Sequence, residues 1–150
     1  MKKIITNIGL FICLNANAQW TYKTVDNDFD DPYRICYTVE NNGSILKLEN
    51  VDGSIYFYLQ GGYTCDEEPE VDLAFIVKGI SKKYSVYGSV SEGKDILWIM
   101  NDLLENDEIL LDFKSCTTLK IRVNDSICES EIFSFNMSGS TSALNFIRNN

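Results

Sequence analysis

The chain has 150 residues, 22 acidic against 13 basic, a net charge of −9, and no histidine. That length builds one domain around one sizeable core, and the acidic balance argues against nucleic acid and anionic membrane surfaces as partners. The missing histidine excludes Ser-His-Asp and Cys-His nucleophiles, histidine general bases and histidine metal ligands.

Met1-Lys2-Lys3 is a short basic start, and Ile4 to Leu14 is a mostly apolar run. Ala16-Asn17-Ala18 then places small residues where a signal peptidase reads them. This pattern predicts a secretory signal cleaved after Ala18 and a periplasmic or secreted mature chain, residues 19–150, forming one disulfide-stabilised domain. The apolar run is well short of the roughly 20 residues that span a bilayer, so no membrane span is expected. Cys13 follows the bulky Ile12 and precedes Leu14, which fits an ordinary apolar signal residue better than a lipid attachment point. Removing Lys2 and Lys3 leaves 11 basic against 22 acidic residues, a net charge of −11.

Asp26-Asn27-Asp28-Phe29-Asp30-Asp31 has the acid density of a calcium loop, but its sixth and twelfth places hold Asp31 and Tyr37 instead of glycine and glutamate. It reads as a solvated acidic loop. The second acidic cluster, Asp66, Glu67, Glu68 and Glu70, is a candidate binding patch for a cationic partner.

Cys36, Cys65, Cys116 and Cys128 form an even set in an exported chain, which predicts two disulfides. Short loops close more readily, so the expected pairing is Cys36–Cys65 with Cys116–Cys128; pairing across sheets is the rival. No CxxC pair supports a metal site, and none is expected.

Asn41-Asn42-Gly43 and Asp52-Gly53 are hairpin signals, because Asn, Asp and Gly tolerate the positive φ of tight primed turns. A two-residue loop at Asp52-Gly53 sets Val51 opposite Ser54, Leu48 opposite Phe57 and Leu46 opposite Leu59. That register makes one apolar face, leaving Glu49 with Tyr56 and Lys47 with Tyr58 on the other. Lys47, Glu49, Tyr56 and Tyr58 are therefore a second candidate binding patch, for a protein or for a glycan stacked on the rings. Extending backward, a two-residue turn puts Ile35, Tyr37 and Val39 on the core side and Cys36 on the tyrosine side; a three-residue turn reverses this.

Further alternation marks Val71 to Val77, Tyr84 to Val90, the stripe Ile109, Leu111 and Phe113, then Leu119 to Val123, and Phe133, Phe135 and Met137. With Trp20 to Val25 leading, about eight or nine short strands are expected, in an all-β sandwich or partly open barrel. Met100 to Asn106 suits a helical turn. Thr141 to Arg148 suits a short C-terminal helix capped by Ser140, with Leu144 and Ile147 packing on the sheet.

There is no P-loop, no Rossmann glycine pattern and no nucleophile elbow. No catalytic residue and no cofactor is expected. A small two-carboxylate hydrolase is the remaining enzymatic alternative, with no pair of acids singled out.

Gly62-Tyr63-Thr64-Cys65, the strand Val71 to Gly79, the strand Thr118 to Val123, and Phe133 to Ser140 leading into a helix at Ala143 follow one another in an order that resembles small exported bacterial proteins. These are the invasion-associated locus B type and the related accessory proteins found near type VI secretion genes. The resemblance covers most of the mature chain and implies a β-rich periplasmic module to which no catalytic residue carries over. The acidic 65–70 loop and the terse N-terminal strand depart from it. The expected function is an exported, non-enzymatic accessory protein of the bacterial envelope that engages another protein.

Overall fold

The structure, a computed structural model, describes residues 20–26, 32–61, 64–92, 96–99 and 103–149. The signal segment with Cys13, most of the first acidic loop, Gly62-Tyr63 and the start of the 100–106 segment lie outside the described residues.

Among the described residues, nine antiparallel strands form one open sheet, and two short helices accompany them. The strands are β1 (Thr21–Val25), β2 (Tyr33–Val39), β3 (Ile45–Val51), β4 (Ser54–Gln60), β5 (Glu70–Val77), β6 (Ile80–Val90), β7 (Ile96–Ile99), β8 (Thr118–Asn124) and β9 (Glu131–Asn136). Their order across the sheet is β1-β2-β3-β4-β7-β6-β5-β8-β9. The all-β expectation with a C-terminal helix is met.

The Asp52-Gly53 hairpin has the expected register in full, from Val51 opposite Ser54 to Leu46 opposite Leu59. Both turn residues have positive φ, 52° and 85°, as a primed turn requires. Between β2 and β3, however, Val39 pairs with Ile45 across five residues, so parity reverses. Cys36 then lies opposite Leu48 on the core side, and Ile35 and Tyr37 face outward.

The long strand β6 joins the two halves of the sheet. Ile80 to Tyr87 pair with β5, and Gly88 to Val90 pair with β7. Gly88 sits at the handover. A Cβ there would lie 2.6 Å from Leu97 Cδ1, so only a hydrogen lets β7 approach.

The inner faces of both halves feed one core. Leu46, Leu48, Phe57 and Leu59 come from one half, and Val71, Leu73, Phe75, Leu119, Ile121, Phe133 and Phe135 from the other. Phe113 lies between them on α1 (Asp107–Ser115), edge-to-face with Phe57 and with Trp20. Period-two reading makes Ile109, Leu111 and Phe113 a strand, yet they are helical. Asn106 caps the helix by accepting from the Glu108 and Ile109 amides, Asp107 and Glu108 complement its positive end, and Lys114 sits in the last turn. The buried set is Ile109, Asp112 and Phe113, a helical spacing, while Leu111 is exposed. A 3₁₀ turn, Leu103–Glu105, precedes it.

The second helix, α2 (Ser140–Arg148), buries Leu144 and Ile147 as expected, and Ala143 with them. Its cap is Gly139, with φ of 89°, and not Ser140; the Ser140 hydroxyl donates to the Phe113 carbonyl instead. At the far end, Asn50 Nδ2 donates to the Ile147 carbonyl at 2.7 Å. Arg34 donates to the Phe146 and Asn149 carbonyls, placing a cation at the negative end of the helix. The sheet does not close: β1 and β9 are its edges. The Ser134 amide of β9 donates to Glu40 just past β2, which occupies one edge donor.

Candidate functional site

The pleat places Lys47, Glu49, Tyr56 and Tyr58 together on the outer face, as the sequence predicts. The same face gains residues that the sequence reading left out. One cross-strand row runs Thr21, Tyr37, Lys47, Tyr58, Trp98, Ser89. The adjoining rows carry Ile35, Glu49 and Tyr56, and then Tyr33 and Val51. Trp98 is the signal missed: β7 is only four residues long, too short for alternation to declare its faces.

Within this face Tyr58 is the most enclosed ring, 8 % exposed. Tyr56 lies nearly parallel to it at 6.2 Å, and Trp98 meets it edge-on at 5.5 Å. Lys47 Nζ sits 4.3 Å from its ring centroid and 2.9 Å from Glu49 Oε2. Burial, followed by the charge of Glu49, pushes the Tyr58 hydroxyl far above the usual phenol range. It stays neutral at any physiological pH. Trp98 remains 42 % exposed, and with Tyr56 and Tyr37 it makes a broad aromatic surface beside the Lys47–Glu49 ion pair.

Asp66, Glu67 and Glu68 line an open cleft of about 540 Å³ together with Ser89, Val90, Ser91 and Glu92. Ser89 also ends the Trp98 row, so the acidic cleft and the aromatic face are neighbours. Glu70 does not join the cleft; it begins β5 between Tyr87 and Asn124.

The expected disulfide pairing is overturned. Cys65 bonds Cys128, with Cα atoms 5.9 Å apart and a sequence separation of 63, while Cys36 and Cys116 are free and buried. Short-loop preference governs a featureless chain; here the sheet brings the 65 and 128 ends together and separates the rest. Asp125 organises this junction. Its Oδ2 accepts from the Thr64 hydroxyl at 2.7 Å and from the Cys65 amide, and its Oδ1 accepts from the Ile127 and Cys128 amides. Donation from the Cys128 amide is the leading cause that holds the Asp125 carboxyl well below the usual carboxylate range. Cys65, Asp125 and Cys128 lie close enough to hold a metal ion. With both sulfurs in a disulfide and the carboxylate saturated by donors, the group instead fits a covalent staple with its own hydrogen-bonded cradle. Burial pushes the Cys36 and Cys116 thiols up to about 12, which keeps them protonated and unreactive.

Among the described residues, no helix is long and apolar enough to cross a membrane. No protein-family model matches the chain, and neither a curated protein nor a solved structure matches it.

Proposed function

We propose that this chain is an exported, non-catalytic binding protein of the bacterial envelope that engages another protein through the aromatic outer face of β2, β3, β4 and β7. The observation that carries the reading is the concentration of Tyr33, Tyr37, Tyr56, Tyr58 and Trp98 on the solvent side of one sheet half. Rings of this kind give large contact area at low entropic cost and dominate interface energetics. The partner that fits presents an apolar surface bordered by basic residues, since the acidic cleft of Asp66, Glu67, Glu68 and Glu92 adjoins the rings. The Cys65–Cys128 bond suits an oxidising compartment and so supports export.

The glycan reading fits less well. A stacked pyranose needs an open ring face, and Tyr58 is enclosed, with Lys47 over its ring. The two-carboxylate hydrolase has a similar difficulty. Asp72, Asp112 and Asp125 are held ionised by donors, which makes these three unsuited to be its general acid.

The test is site-specific photocrosslinking of oxidised residues 19–150 in envelope extract, with the reactive group at position 98 or, on the other sheet half, at position 81. One dominant protein adduct from position 98, absent from 81 and weakened by high salt, is the expected result. Equal labelling from both positions, or retention on a sugar array with no protein adduct, would sink the proposal.

A further inference from the structure

The outer face of the other sheet half holds two lysines, Lys83 and Lys120, that meet no acid among the described residues. Ala74 lies in β5 with Lys83 directly opposite on β6 and Lys120 directly opposite on β8. The two lysine backbones are thus two strand spacings apart, roughly 10 Å, with a methyl group as the floor between them. Arg122 is one pleat further along β8, and exposed Ile132 forms a wall. Together with Asp72 and Ser85 they surround an open well of about 340 Å³.

Among the described residues, the one carboxylate in the well is already occupied. Asp72 Oδ1 accepts from the Ser85 hydroxyl at 2.6 Å; Oδ2 accepts from Asn124 Nδ2 at 3.0 Å and from Arg122 Nε and Nη2. Among the described residues neither Lys83 nor Lys120 has an ion-pair partner. The chain has nearly twice as many acids as bases, so partners were available in composition. Instead, three cations and one carboxylate leave the well with two net positive charges on an otherwise acidic molecule.

We infer that this well binds a small tetrahedral oxyanion, the phosphate or sulfate group of a ligand, between the ammonium groups of Lys83 and Lys120 above Ala74. Two flexible lysines flanking a small residue can close on one anion. Arg122, already oriented by Asp72, adds unused guanidinium donors at the side. Ile132 supplies an apolar contact for the organic part of such a ligand. The site lies on the sheet half opposite the proposed protein-binding face, so it does not depend on that reading.

The test is an NMR titration of the oxidised mature protein with inorganic phosphate, pyrophosphate and sulfate, each against chloride at matched ionic strength. Saturable shifts at the amides of Ala74, Lys83 and Lys120, absent with chloride, are expected. The phosphate and sulfate arms rank the two chemistries. Lys83→Gln or Lys120→Gln should each weaken binding about tenfold. Ala74→Leu keeps every charge but fills the floor, and should abolish saturation. Lys114→Gln, on α1, should change nothing. Absence of saturable shifts, unaltered binding in Ala74→Leu, or an equal loss from Lys114→Gln would overturn the inference, because each points to diffuse attraction and not to a built site.

Discussion

The half of the sheet made by β1 to β4 and β7 and the half made by β5, β6, β8 and β9 share one core but show water opposite chemistries. Outside the first half stand rings, with Lys47 and Glu49 paired among them. Outside the second stand Lys83, Lys120 and the Arg122–Asp72 pair around a methyl floor. The inner faces are alike, both built from leucine, isoleucine, valine and phenylalanine. The pleat explains how this is possible. Each residue commits to one face, so the core can be held constant while the two outer surfaces diverge. It follows that the net charge of the whole chain does not describe either face.

Phe113→Ala should break both halves at once. Phe113 is fully buried between Trp20 and Phe57, and its loss should cost about 4 kcal/mol in chemical denaturation. Amide exchange would show β3 and β8 losing protection together; if β3 keeps its protection while β8 loses it, the halves are separate cooperative units. Replacing both Cys65 and Cys128 by serine should cost about 3 kcal/mol, because the bond closes a loop spanning 63 residues of sequence. The loss should centre on the ends of β5 and β8, read by the same exchange experiment.

Gly88→Ala acts at the junction. The added Cβ meets Leu97 and the Trp98 carbonyl, so β7 must retreat, at a cost of about 2 kcal/mol in thermal unfolding. A neutral result would mean that β7 can shift without loss and that the halves are less firmly coupled.

Asp112→Asn tests the link between α1 and β6. Asp112 is buried and accepts from Lys82 Nζ at 2.6 Å and from the Tyr84 hydroxyl at 2.7 Å. Burial raises its pKa, but these two donors outweigh that and hold it below the ordinary value; the same contact pushes Tyr84 up to about 12. A carboxyl whose folded pKa is depressed contributes stability above its unfolded pKa of roughly 4, and loses it as pH falls through the folded value. The variant should therefore lose about 1 kcal/mol at neutral pH, modest because Lys82 is half-exposed and not stranded, and should lose less on acidification than the parent. Parallel pH–stability curves for the two proteins would refute this.

The sequence made the β3–β4 hairpin legible to the residue, because the turn chemistry of Asp52-Gly53 and the alternation on both sides specify the same register. It left Cys36 ambiguous, because a five-residue connection carries no parity rule that composition reveals. It misled at Ile109, Leu111 and Phe113, where period two and period 3.6 overlap over five residues. The deciding signal was the Asn106-Asp107-Glu108 start, an N-cap followed by two acids. The turn Lys78-Gly79 is hard to read in the sequence because lysine is an unusual residue for its φ of 50°. The oxyanion well could not be read at all. Positions 74, 83 and 120 become neighbours only through the pairing of β5 with both β6 and β8.

The two unpaired thiols among the described residues set a timetable for making this protein. Cys36 and Cys116 are sealed from solvent only once the helices have docked against the sheet. Before that, the sulfurs of Cys36, Cys65, Cys116 and Cys128 compete, and the nearer neighbours in sequence meet more often than Cys65 meets Cys128. Collapse must therefore run ahead of oxidation. A reduced chain that is allowed to fold before oxidant is added should give a homogeneous product, and one oxidised while unfolded should give a mixture whose yield recovers only with a disulfide-shuffling catalyst.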